Sequence, residues 1–264
     1  MTTIVDPERL AAAGLSLELD GPVLTVTLDK PERRNSQTPT MWHTLDAIGR
    51  AVPDDVRVVV VKGAGESFSA GIDTRLFGPD GVEGEESVFE LMQGSDEHIV
   101  ETIDGYQRGF VWLADPRFVS IAVVQGYATG AGFQLALACD LRVVADDVKL
   151  CMKEPALGLV PDLAGTKPLV ECVGYSRALE ICATARLVEA DEARDLGIAT
   201  AVVPRAELEA TTADLVEALL ETNAGAVRET KALLQTAGSL DLDAQRLEER
   251  TAQVRRFREL VGGA

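Results

Sequence analysis

Two stretches of the 264-residue chain join the pattern of a buried strand to a cluster of small residues and then to a helix start: "VRVVVVKGAGESFSAGID" and "VSIAVVQGYATGAGFQLAL". Small residues let a backbone approach a ligand closely and expose its N–H groups. A helix N-terminus adds unpaired donors and partial positive charge at the same place. Two N–H groups aimed at one point stabilise an oxygen that gains negative charge during a reaction. Either loop alone is equally well explained by tight turns and close packing; both together, each behind a buried strand, point to an oxyanion site. Gln134 stands at the head of the second helix with apolar residues behind it. An amide can hold a water molecule or a substrate oxygen, but it cannot accept a proton.

Other chemistries are disfavoured. The two histidines, His43 and His98, lie in helix-like stretches, which excludes a His-rich metal site and argues against a Ser-His-Asp triad. Cys139, Cys151, Cys172 and Cys182 sit in apolar settings at spacings that match no metal framework, and they read as reduced core thiols. A net charge of −18 repels nucleic acid and anionic membranes, and any anionic cofactor would need cations gathered locally. No apolar run approaches the ~20 residues that span a bilayer. The first residues carry acids and lack a basic stretch before an apolar one, so no secretion signal is read there. A cytoplasmic protein is expected.

The elements that must position the two loops follow from periodicity. "SLELDGPVLTVTLDK" alternates on both sides of a Gly-Pro turn and reads as a hairpin, and "PTMWHTLDAIGRAV" has helical spacing. "VRVVVVKG" and "VSIAVVQG" are continuous apolar runs of strands buried on both faces; "LRVVADD" is a third strand and "KLCM" a short fourth. Residues 83–115 read as helical with a break near Gly94. Strand, small-residue loop and helix in repetition predict an α/β core. After Pro204 three helix-like patterns follow with no strand between them. The expected division is a core over residues 1–203 and a helical C-terminal region over 204–264 that packs on a neighbouring subunit or folds back on its own core.

The blocks "DKPERRNSQTPTMW", "FSAGID", "GYATGAGFQLALACDLRVV" and "EPALGLVPDLAGT" resemble, in order and spacing, those of the crotonase superfamily, the enoyl-CoA hydratases, isomerases and their relatives. The resemblance spans residues 15–235. It implies a spiral of repeated ββα units with a helical C-terminal region, homotrimers or dimers of trimers, and a coenzyme A thioester as substrate with no permanently bound cofactor. Carried over by position, the oxyanion donors are the N–H groups of Ala70 and Ala131. Gly130 adjoins the second donor in the substrate site. Lys30 and Arg33 lie where the family binds the nucleotide end, and the adenine would meet backbone over Ser69, Gly71 and Ile72. Tyr127 is expected to line the acyl pocket.

Hydratases of this family use two glutamates. The first position is Gln134 here, and the second, anchored on Gly158 and Pro161, is Glu154, with Lys153 as a possible ion-pair partner. Dienoyl isomerases use a further aspartate, and Asp162 sits at that offset. A positioned acid or base is worth roughly 10²–10⁴-fold, so an amide at 134 should cripple two-glutamate hydration. The resemblance therefore implies a double-bond isomerase with Glu154 as its single base and Gln134 orienting the acyl chain or a water. Hydratase is the nearest alternative, followed by other acyl-CoA reactions and by a silent acyl-CoA-binding protein. The chain stops at "RRFRELVGGA", without the basic tail usual in the family, which puts a phosphate contact from that tail in doubt.

Overall fold

In the computed structural model, which describes residues 4–262, helix α1 (Pro7–Ala13) is capped by the Asp6 carboxylate and ended by Gly14 at φ 64°. The alternating stretch around Gly21 and Pro22 forms the expected antiparallel hairpin of β1 (Leu15–Asp20) and β2 (Val23–Leu28). Helix α2 (Pro39–Ala51) starts at Thr38, whose hydroxyl accepts from Met41 N–H, and the chain then enters β3 (Val58–Gly63). The break near Gly94 separates a single turn, α3 (Val88–Leu91), from α4 (Asp96–Val111); Ser87 and Ser95 cap them.

Two passes of similar form follow. β4 (Val119–Val124), β5 (Tyr127–Thr129) and α5 (Ala131–Ala138) make the first; β6 (Leu141–Ala145), β7 (Lys149–Cys151) and α6 (Thr166–Thr184) make the second. Helix α6 is kinked at Gly174. The chain continues through β8 (Val188–Glu189), α7 (Ala190–Asp195) and β9 (Ala201–Val203) to three helices, α8 (Leu208–Glu221), α9 (Ala224–Ala237) and α10 (Leu242–Gly262). β8 and β9 are too short to leave a period in the sequence.

The long strands build a six-stranded sheet in the order β1-β2-β3-β4-β6-β9, parallel from β2 onward. The short ones build a second sheet, β5-β7-β8. Each pass thus gives one strand to each sheet and then a helix, which is the expected ββα spiral. Bridges at Ser69↔Ala128 and Gln37↔Ile72 carry the second sheet's pairing back to the earlier turns. That pairing brings the two small-residue loops side by side.

The unbroken valine run of β3 is explained by a core on each face. Val59 and Val61 join the larger core with Ala122 and Val124, under α2 and α5. Val58 and Val60 join Ile121 and Val123 in a second core, covered by Leu208, Leu215, Val216 and Leu219 of α8. Helix α8 is therefore a layer of the core, although it lies beyond the last strand. The Arg57 guanidinium ties its C-terminus down by donating to the carbonyls of Leu219, Leu220 and Thr222. Among the described residues no helix is long and apolar enough to cross a membrane.

Helix α9 is anchored by Lys231, which is 9% exposed. Its ammonium donates to Asp115 O (2.8 Å), Phe118 O (2.9 Å) and the Asp140 carboxylate (2.6 Å). Lys231→Met leaves Asp140 without its cation and two carbonyls without their donor. It is expected to lower stability by about 3–5 kcal/mol, read as a drop in the urea midpoint with unchanged slope.

Candidate active site

The first loop reaches the site because Gly71 has φ +85°. A Cβ there would lie 2.3 Å from Thr129 O and 3.5 Å from Ala131 N, so glycine is what lets the two loops touch. Around Gly71 the backbone is held by a buried network. The Ser69 hydroxyl donates to Asn35 O and accepts from Gln37 Nε2 and Gly71 N–H, while Trp42 Nε1 donates to Gln37 Oε1 at 2.8 Å. Asn35, itself at φ 53°, accepts from Lys30 N–H and donates to the carbonyls of Ala64, Ser67 and Phe68.

This network corrects the first oxyanion donor. The Ala70 N–H donates to Arg34 O at 2.8 Å and is not available to a ligand. Gln37 pairs with the residues flanking Ile72, accepting from Asp73 N–H and donating to Gly71 O. Ile72 N–H therefore points away from Gln37, and it has no acceptor among the described residues. Ala131 keeps its expected place. It is the first residue of α5, whose N-cap, Gly130, supplies no capping side chain. Its N–H is likewise without an acceptor among the described residues. Ile72 and Ala131 both line one cavity of about 510 Å³, at an uncapped helix N-terminus.

Glu154 opens a short 3-10 turn that follows β7, with Pro155 next. It is 9% exposed, and its carboxylate lies against Gly130, where a Cβ would come within 3.1 Å of Oε1. Oε1 accepts from Gln134 Nε2 at 2.7 Å, whereas Oε2 is fully buried and has no hydrogen-bond partner. Burial pushes the carboxyl above its ordinary range and the charge of Asp162 adds to this, while the Gln134 bond works in the opposite direction. The Lys153-Glu154-Pro155 order does not divert the side chain. Lys153 is exposed and makes no ion pair with Glu154.

Gln134 has a different task from the one expected. It is fully buried, and its Oε1 accepts from Leu163 N–H (2.9 Å) and Gly165 N–H (3.2 Å). Two backbone donors fix that end of the amide as oxygen, so the other end must be the donor that faces Glu154. Fully buried and outside the cavity lining, the amide holds the glutamate and does not reach into the cavity itself. Asp162 does line the cavity, with its carboxyl pushed upward by burial. Gln107 fixes its backbone by donating to Asp162 O at 2.7 Å.

Other expected contacts are not brought together. Ser69 is fully buried with hydroxyl, N–H and carbonyl all bonded internally, so it cannot meet an adenine. Lys30, its stem across Gly14, and the exposed Arg33 lie outside the cavity, which is compatible with the nucleotide end expected of them. Tyr127 is 37% exposed on β5 beneath the Lys149 ammonium and does not line the acyl pocket. Its neighbour Ala128 takes the buried face, as alternation along a strand requires. Arg75 pairs with Asp73, holding that carboxyl down at about 2. Gly71 and Ile72, expected beside the adenine, line the cavity together with Gly130. The apolar wall that sequence reasoning missed comes from the segment around α3 and from α4: Val88, Leu91, Met92, Ile99 and Ile103.

Two N–H groups beside a bare, buried carboxylate oxygen can take a proton from carbon next to a carbonyl and hold the resulting enolate. The comparisons with known proteins bring out one family. The family model for enoyl-CoA hydratase/isomerase matches residues 18–260. The probable enoyl-CoA hydratase of Rhizobium meliloti (strain 1021) is 31% identical over 72% of this chain and 68% of its own. The carnitinyl-CoA dehydratase of Salmonella typhi is 29% identical over 87% and 83%. A Thermobifida fusca YX protein assigned as an enoyl-CoA hydratase, solved in complex with acetoacetyl-CoA, is 51% identical. It superposes with a TM-score of 0.93 over 96% of this chain and 98% of its own, and it has also been solved with CoA. The fold is the crotonase fold of these structures.

A carboxyl whose folded pKa is raised gives stability that is full below its unfolded pKa and lost as pH rises through its folded pKa. Glu154→Gln removes that loss and keeps an acceptor for Gln134. The variant should match wild type in urea denaturation at pH 4 and exceed it at pH 8. Equal midpoints at pH 8 would mean that the ionised carboxylate carries no burial penalty.

Proposed function

The chain belongs to the enoyl-CoA hydratase/isomerase family, and from that membership we propose that it moves the double bond of an enoyl-CoA through a thioester enolate, with Glu154 as the base. The thioester oxygen sits against Ile72 N–H and Ala131 N–H. Glu154 Oε2 takes a proton from C2, negative charge collects on the thioester oxygen, and the same carboxyl returns the proton to C4. Preorganised donors of this kind are worth ~2.7–4 kcal/mol each when removed.

The observation that carries the reading is the engagement of Gln134. Its amide donates to Glu154 Oε1 and accepts from Leu163 N–H, which leaves Glu154, with an unpartnered Oε2, as the one glutamate at the two positions where the family's hydratases have two acids. The acetoacetyl-CoA held by the Thermobifida fusca relative supports it too, since that thioester enolises readily at C2. Hydration is the second reading, favoured by Asp162, a further cavity-lining carboxyl that could share proton transfer with Glu154. The nucleotide end of coenzyme A requires cations beyond the cavity, and packing through α9 and α10 into a trimer would bring them from a neighbouring subunit.

The test supplies a 3-enoyl-CoA and, separately, the conjugated 2-enoyl-CoA. Wild type should conjugate the first faster than it hydrates the second, and Glu154→Gln should slow conjugation by about 10²–10⁴-fold. Gln134→Glu would keep the Leu163 and Gly165 bonds and turn its second oxygen on Glu154, so that the pair shares a proton; this variant should gain hydration. Faster hydration than conjugation by wild type, abolished in Asp162→Asn, would replace the isomerase reading with the hydratase one.

A further inference from the structure

The apolar wall of the cavity is interrupted by one phenol. Tyr106, on α4, is 6% exposed and lines the cavity. Its ring is fixed between Trp42, with centroids 4.9 Å apart, and His43, at 5.4 Å. Trp42 is itself locked by its bond to Gln37, beside the Ile72 donor, so the ring has little freedom to turn away. The hydroxyl makes no hydrogen bond among the described residues. Glu86 and Asp162 also line the cavity, yet neither carboxylate bonds it. Burial, followed by the negative charges of Glu86, Glu85 and Asp162, raises the phenol to about 12, so it remains a donor at any working pH.

An acyl chain of hydrocarbon alone would displace water from this hydroxyl and leave a buried donor unpaired. Phenylalanine would serve such a chain better, because an unsatisfied buried polar group is costly. The surrounding leucine, isoleucine and valine side chains give the rest of the chain an apolar bed. We propose that Tyr106 is a specificity-determining residue that donates its hydroxyl to an oxygen on the acyl chain, so that the substrate class is an oxygen-bearing acyl-CoA, hydroxylated or oxo-substituted beyond the thioester carbonyl. The inference rests on the acyl-CoA reading of the site, but it does not require that the reaction be isomerisation.

The experiment measures dissociation constants by titration calorimetry for hexanoyl-CoA and for analogues with a hydroxyl or oxo group at each carbon from C3 to C6. Binding needs no turnover, so the result stands apart from the assays of conjugation and hydration. At least one oxygenated analogue should bind wild type about tenfold more tightly than hexanoyl-CoA. In Tyr106→Phe, which keeps the ring packed on Trp42, that ratio should fall to about one. The proposal is overturned if no analogue gains over hexanoyl-CoA in wild type, or if the gain survives in Tyr106→Phe. Failure of every thioester to bind would overturn the acyl-CoA reading as well, whereas selective binding without conjugation would overturn the isomerase reading alone.

Discussion

The hydrogen bond from Gln134 Nε2 to Glu154 Oε1, 2.7 Å long and buried, is the contact around which the site is organised. It joins the start of α5 to two pieces of chain some 20 to 31 residues further on, the turn after β7 and the 163–165 segment whose N–H groups hold the amide oxygen. An amide suits this position because it accepts at one end and donates at the other. It therefore satisfies two backbone donors and still fixes one oxygen of the glutamate. The second oxygen is buried and left without a hydrogen-bond partner. Burial raises this carboxyl and the amide's donation lowers it, so Gln134 offsets part of the desolvation that makes Glu154 a stronger base.

The spiral brings Ile72 and Ala131, the proposed oxyanion donors, to the cavity that Glu154 lines. Each turn places a long strand in the large sheet and then a short one in the second sheet, so successive turns present their strand-to-helix loops on the same side. Close approach of the loops is then a matter of side-chain size, and Gly71 permits it. Rigidity comes from polar side chains buried behind the loops. Asn35, Gln37 and Ser69 bond almost wholly to backbone and to one another, fixing N–H directions that no apolar packing could set. Their dense bonding is also why Ser69 contributes nothing to a ligand directly.

The sequence makes the α/β core, the hairpin, the buried strands and the three final helices legible, because each carries a period or an unbroken apolar run. It also brings out Ala131, Glu154 and Asp162 as cavity residues. What it does not convey is the direction of a backbone group. Residues 70 and 72 are two apart and would share a side in a regular strand, but the positive φ of Gly71 interrupts the alternation. Ala70 N–H consequently turns to Arg34 O, and Ile72 N–H is left without an acceptor among the described residues. The role of Gln134 was hidden for a related reason: that an amide cannot titrate is plain from its type, but what it holds depends on Leu163 and Gly165, some thirty residues on. Lys30 and Arg33 have the right sign for an anionic cofactor and lie outside the cavity, one with its stem over Gly14 and the other exposed.

The buried setting of Glu154 also bears on which proton transfers the site favours. In the proposed reaction the negative charge leaves Glu154 Oε2 as the C2 proton arrives and reappears on the thioester oxygen between Ile72 and Ala131 N–H. The cavity holds the same total charge before and after, so its low dielectric imposes little additional cost on the step. The N–H donors are in place beforehand and need not reorganise. Returning the proton to C4 reverses the same movement of charge, and it requires neither a second acid nor an incoming water. Addition of water makes the greater demand, because a molecule must be held and deprotonated while a different group protonates carbon. With Gln134 unable to accept a proton, that burden would fall on Asp162, whose carboxyl is also raised by burial and whose charge is already felt by Glu154. In the proposed reaction a single carboxylate and two N–H donors are thus matched to moving a proton along a chain, and the apolar wall from α3 and α4 would keep the intervening dienolate away from bulk water.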